Sequence, residues 1–102
     1  MSFIRIYITN EPEAAAEQLA SYLIENKLAA CANIYPMKSI YWWKGKIQKE
    51  SEWVALVKTT KELWPKIKGA IEEQHPYEVP CIMKIEVEAN EAYEAWIRKS
   101  VS

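Results

Sequence analysis

His75 is the only histidine in the chain, and it stands in the run Gln74-His75-Pro76-Tyr77-Glu78. Imidazole is the side chain best able to select Cu²⁺ or Zn²⁺ at neutral pH. A histidine before a proline also serves as a helix terminator, its cation facing the dipole or its ring bonding a nearby carbonyl. Both roles stay open for His75. Cys31 and Cys81 are the soft candidates, since thiolates suit Cu(I) and Zn²⁺. They lie 50 residues apart without CxxC or CxH spacing, so nothing in the sequence forces a joint site.

Other residue sets offer binding rather than bond-making. Tyr41-Trp42-Trp43 reads either as a stacking platform for a small aromatic ligand or as an anchor buried between subunits. Lys44, Lys46 and Lys58 with Glu50, Glu52 and Glu78 either line an inter-subunit cleft for an anion or are solvated surface charges. Catalytic patterns are missing. There is no Ser-His-acid set, no paired Asp and no Gly-rich phosphate loop. Asn10-Glu11-Pro12-Glu13 is acidic and proline-restricted, a poor cradle for phosphate. The expectation is a protein without catalytic activity.

The elements that position these groups follow from periodicity. Ile4, Ile6 and Ile8 alternate with Arg5 and Tyr7, which predicts a strand over 3–9. Asn10 with Glu13 resembles a capping box, with Pro12 in the first turn. The helix that follows should run to about Lys27, with Ala15, Leu19, Tyr22, Leu23 and Asn26 on its inner stripe. Two long extended stretches then flank Lys44-Gly45: Ala30 to Trp43 and Lys46 to Thr59. Gly45 supplies the positive φ of a two-residue hairpin turn. Pro36 has no N–H to give, so a bulge or bend is expected there. Lys49 to Glu52 is polar on both faces, as an arm outside a core should be.

Thr59 or Thr60 is a candidate cap for a second helix, whose stripe is Leu63, Ile67, Ala70, Ile71 and Gln74, with Trp64 alongside. Pro65, counted from Thr60, falls at the fifth helical position and predicts a kink. His75-Pro76 ends that helix. In the last strand, Cys81 to Glu88, Cys81, Met83, Ile85 and Val87 share one face, read as core packing. Asn90 then caps a short helix carrying Tyr93, Trp96, Ile97 and Val101.

The order β-α-β-β-α-β plus a terminal helix is the split-βαβ, ferredoxin-like arrangement, an α+β fold in one domain over 1–102. It leaves one sheet face without helices, to which Tyr7, Tyr35 and Trp53 contribute. A strand of about 14 residues spans roughly 45 Å, whereas a compact chain of this length is roughly 33 Å across. An arm tipped by Tyr41, Trp42 and Trp43 therefore overshoots its own subunit and calls for a second copy of the chain.

Composition narrows the partners. With 13 basic and 14 acidic residues the net charge is -1, which argues against nucleic acid. All the acids are Glu, so a Mg²⁺ or Ca²⁺ loop of spaced Asp is excluded. No run reaches the length of a membrane span. Met1-Ser2-Phe3-Ile4-Arg5 has no signal-peptide pattern, so a cytoplasmic location with free thiols is expected.

Taken together, several segments resemble the CutA divalent-cation-tolerance family. They are Lys27-Leu28-Ala29-Ala30-Cys31-Ala32-Asn33-Ile34, Ser39 through Ile47, Val57-Lys58-Thr59, and His75-Pro76-Tyr77-Glu78-Val79-Pro80, with Tyr93 and Trp96. The resemblance spans essentially the whole chain. It implies a homotrimer with the long arms between subunits (Tyr41, Trp42, Trp43 and Trp53 at the interface) and an architecture similar to PII signalling proteins. It also implies binding of, and response to, divalent metals, copper especially. An alternative it carries is a regulatory trimer whose inter-subunit cleft, with Trp43, Lys58 and Glu78, takes a small anionic or aromatic ligand. A further alternative is a structural or partner-binding module. Some relatives hold metal with a Cys at the end of the first strand and two adjacent His. Here only His75 matches; Gln74 replaces the other His, and Ile8 or a neighbour replaces the Cys. His75 and Cys31 are the remaining metal candidates.

Overall fold

The computed structural model describes residues 2–102. Its elements run β1 (Phe3–Asn10), α1 (Glu13–Glu25), β2 (Cys31–Trp43), β3 (Lys46–Thr59), a 3₁₀ turn (Lys61–Leu63), α2 (Trp64–Gln74), β4 (Ile82–Val87) and α3 (Glu91–Ser100). The four strands form one antiparallel sheet in the order β2-β3-β1-β4. This is the expected ferredoxin-like α+β order. The alternating isoleucines of β1 explain the core. Ile4, Ile6 and Ile8 are fully buried against Ala55 and Val57 of β3, Ala16, Leu19 and Leu23 of α1, and Ile67 and Ile71 of α2.

The turn at the arm tip is as expected. Lys44 and Gly45 both have positive φ, 50° and 78°, the signature of a hairpin turn that follows the strand twist. The extents are 45 × 23 × 22 Å, so the hairpin sets the long axis. β1 pairs with β3 only as far as Asn10↔Trp53. From Met37↔Glu52 to Trp43↔Lys46 the arm is a two-stranded ribbon.

Several local expectations are corrected. Asn10 does not cap α1; it ends β1, and its amide donates to the carbonyls of Ile8 and Trp53 at 3.1 and 3.4 Å. Pro12 holds the cap position, because ladder pairing claims Asn10 first. The helix ends at Glu25, and its inner stripe uses Ala16 and Ala20 instead of Ala15, with Tyr22 turned outward. Pro36 causes no bulge: the β2–β3 register passes unbroken through Pro36↔Trp53. β2 is an edge strand, where a missing N–H can face away from the ladder. Pro65 causes no kink, because the 3₁₀ turn absorbs Lys61–Leu63 and leaves Pro65 in the first turn of α2. The Thr59 hydroxyl caps nothing; it donates to the Leu28 carbonyl at 2.6 Å.

The two sheet faces also differ from expectation. Trp53 packs with Ala55 and Val57 on the helix side, so it is not part of the open face. The Cys81-Met83-Ile85 row is not core: Met83 and Ile85 are about half exposed, at 49% and 45%. Strand alternation reveals two faces without saying which one the helices cover. The open face is partly roofed by α3, whose Tyr93 packs edge-on against Phe3 at 5.9 Å. No helix among the described residues is long and apolar enough to cross a membrane.

Candidate functional site

A cleft of about 790 Å³ lies between the arm and the loop that follows α2. One wall comes from the arm, with Met37, Tyr41, Trp43, Glu50 and Glu52; the other comes from Pro76 to Cys81; Tyr7, Thr9 and Glu11 form the floor. The β2–β3 register sets the spacing of the first wall. The prolines Pro76 and Pro80 keep the second extended.

Four carboxylates line this cleft, Glu11, Glu50, Glu52 and Glu78, against one cation, Lys38. Of the two roles left open for Glu52, cleft lining and solvated charge, the second does not hold: the residue is 5% exposed. Burial of a carboxylate requires a donor, and the Tyr77 hydroxyl supplies it, donating to Glu52 Oε2 at 2.8 Å. The Tyr77 hydroxyl is pushed well above the ordinary tyrosine range by burial first, then by its bond to Glu52 and the charges of Glu52, Glu11 and Glu50. Burial also raises Tyr7, with contributions from Tyr35, Cys81 and Glu52. The Tyr7 hydroxyl donates to Met37 Sδ at 3.2 Å. Burial, then Glu52, pushes the Cys81 thiol up, which keeps it protonated and a weak metal ligand. Negative charge and aromatic walls suit a cation.

The predicted residues are distributed as follows. Trp43 and Glu78 line the cleft. Glu78 approaches Lys44 at 4.0 Å with both side chains exposed. Lys58 is not in the cleft. It pairs with Cys31 across β2–β3 and with Arg5 across β1–β3, six residues along β3 from Glu52, roughly 20 Å away. Tyr41 lines the cleft with Trp43, whereas Trp42 projects from the ribbon, 71% exposed, beside Ile40 at 69% and Ile47 at 58%.

His75 has both ring nitrogens engaged. One bonds the Thr9 carbonyl at 2.8 Å through Nε2, so Nε2 carries the proton, and Nδ1 accepts from the Tyr77 backbone N–H at 3.2 Å. The ring also meets Tyr77 edge-on at 4.5 Å. The arrangement makes His75 a clamp joining the loop to β1. Metal ligation would cost one of those bonds. Cys31 lies toward the far end of the sheet, 3.6 Å from the Tyr93 hydroxyl, so it does not meet His75 within one chain. Among the described residues no three His, Cys or carboxylate groups converge on a point that would hold a metal ion.

Reading the sequence missed Glu11, Tyr7 and Tyr77 as cleft residues. They come from distant segments, and the Tyr77–Glu52 bond in particular spans 25 residues and leaves no local spacing to detect. The one signal in the sequence is the place of Glu52 at the boundary between the polar ribbon and the apolar run from Trp53.

A sequence model of the CutA1 divalent ion tolerance protein family matches residues 4–100. The divalent-cation tolerance protein CutA of Pyrococcus horikoshii is 40% identical over 95 residues, 92% of this chain and 93% of that one. The structure of the periplasmic divalent cation tolerance protein CutA from Archaeoglobus fulgidus superposes with a TM-score of 0.93 at 39% identity, covering 100% of both chains. CutA from Synechococcus elongatus superposes at 0.94 with 35% identity, over 99% of this chain and 91% of that one.

Proposed function

The chain belongs to the CutA1 divalent ion tolerance family, and on that premise we propose that it is a cytosolic homotrimer that binds divalent cations, copper among them, in clefts completed by neighbouring subunits. The observation that carries this reading is the cleft of four carboxylates, which gathers negative charge and aromatic surface but cannot complete a metal site alone. Exposed Ile40, Trp42 and Ile47 on the arm support self-association. The reading contains no catalytic step. A regulatory trimer taking a small aromatic ligand beside Trp43 uses the same cleft; an anionic ligand does not suit it.

Calorimetric titration with Cu²⁺, on protein whose mass is followed by light scattering, tests the proposal. A trimeric mass is expected, with saturable binding weakened about tenfold or more in Glu50→Gln/Glu78→Gln, since charge-assisted contacts are the strong ones. His75→Ala should lower stability more than affinity. A monomer at micromolar concentration, or equal affinities in the wild type and the Glu variant, overturns it.

A further inference from the structure

The carboxylates of the acidic cleft are spread, not gathered. Glu50 and Glu52 stand on the arm, Glu78 on the opposite wall and Glu11 on the floor. Glu50 and Glu52 are next-but-one neighbours on β3, so they share a face with their Cα atoms roughly 7 Å apart. Among the described residues no three such groups meet at a point that would hold a metal ion. Tyr41, Trp43 and Tyr77 add aromatic surface to the same walls. The space, about 790 Å³, is of the size that small organic ligands occupy.

The charge in the cleft is also unmatched. Glu52 is 5% exposed, and the Tyr77 hydroxyl that donates to its Oε2 at 2.8 Å brings no positive charge. Its other oxygen, Oε1, has no donor among the described residues. Nor is that oxygen sealed in, since Arg5 Nε is the one sealed side-chain nitrogen or oxygen there without a partner. It opens to the cleft that Glu52 lines. The ion pairs formed are Lys44–Glu78, Lys61–Glu86 and Arg98–Glu62, so among the described residues no cation pairs with Glu11, Glu50 or Glu52. Lys44 holds Glu78 only at 4.0 Å, with both side chains exposed, a contact easily exchanged. After burial, the charge of Glu52 helps to push Tyr77, Tyr7 and Cys81 up.

We infer that the cleft binds a linear aliphatic amine with two or more ammonium groups, a diamine or polyamine. A metal ion needs donors that converge. Ammonium groups joined by methylenes need carboxylates set apart, with apolar surface beside them, which is the arrangement here. A terminal ammonium presents three donors, and its bonds to carboxylate oxygens are of the strong kind. A cation near Tyr41, Trp43 or Tyr77 gains further from the ring faces, and the methylenes leave water against the same rings. The inference rests on the cation-binding reading of this cleft, but on neither copper nor the trimer.

Calorimetric titration of the whole chain with spermidine, with diaminobutane and with butylamine, at matched ionic strength, tests the inference. Saturable binding is expected for the first two, with butylamine, which has a single ammonium, weaker by about tenfold or more. Glu50→Gln/Glu78→Gln should weaken spermidine by about tenfold or more. Glu88→Gln/Glu91→Gln removes the same charge outside the cleft and should leave the affinity unchanged. Trp43→Ala should weaken it about threefold or more. No saturable heat with spermidine, equal affinities for spermidine and butylamine, or equal losses in the two Glu variants overturns the inference. Cu²⁺ titrated separately keeps the two readings apart. Spermidine bound without Cu²⁺ supports the inference and fails the copper reading; Cu²⁺ bound without spermidine overturns the inference and leaves the copper reading standing.

Discussion

The two ends of the open sheet face handle charge in opposite ways. At the arm end a carboxylate, Glu52, is buried and satisfied within the chain by Tyr77. At the other end two cations sit side by side and one buried guanidinium nitrogen has no acceptor. The first arrangement is closed: its donor comes from the loop after α2, and the loop is clamped in turn by His75 on Thr9. The second is unfinished: among the described residues no group accepts from Arg5 Nε. The comparison teaches that burial of a charge is not in itself a sign of binding. What separates the two ends is whether the chain completes the hydrogen bonds of the charged group it buries.

The largest expected effect is at the closed end. Tyr77→Phe removes the donor to a buried carboxylate, and a bond to a charged group of this kind contributes about 1.5–3 kcal/mol. Urea denaturation should show a loss in that range. A loss below about 0.5 kcal/mol, the size of an ordinary surface change, would break the contrast between the ends.

A pH series sharpens it. The folded Tyr77 hydroxyl titrates above its unfolded value of about 10, so the folded state holds this proton more tightly. Its contribution to stability is complete below about pH 10 and is lost as pH rises from there toward the folded value. Tyr7 shifts in the same direction. The urea midpoint should fall above about pH 10, and the fall should be shallower in Tyr77→Phe. Parallel curves for the two proteins would remove Tyr77 as its source.

The smallest effect belongs to Lys44–Glu78. Their separation is 4.0 Å and both side chains are largely exposed, so Lys44→Ala should cost under about 0.5 kcal/mol. A larger loss at low salt that persists at high salt would show that the arm tip and the loop are more tightly joined than the geometry indicates.

Much of the fold was legible because its signals are local. Ile4, Ile6 and Ile8 announce a strand, and Lys44-Gly45 between two extended runs announces the arm. Errors arose where a distant partner decides. Asn10 carries a cap signature, but pairing with Trp53 outcompetes it. Pro36 breaks a central ladder yet is tolerated on an edge. Pro65 depends on whether the preceding turn is α or 3₁₀. Met83 and Ile85 alternate correctly but face outward, since alternation carries no information about which face the helices take. The candidate site was legible only in part. Trp43 and Glu78 reach the cleft from turn-adjacent segments, whereas Lys58, joined to them by the family resemblance in a cleft between subunits, lies at the other end of the same chain. Glu52 and Tyr77 form their bond across 25 residues, and no spacing rule links them.

The ribbon beyond Trp53 has a consequence for how the protein breathes. Seven residue pairs, Met37↔Glu52 to Trp43↔Lys46, have no third strand beside them, and a two-stranded ribbon is at best marginally stable in water. Amide protons there exchange through openings confined to the ribbon, while those of β1 and the inner half of β3 wait for far rarer events. In the proposed trimer, contacts from a neighbour slow the first class and leave the second unchanged. The rigidity of the arm then reports how many copies of the chain are present, and exchange at the tip becomes a gauge of assembly.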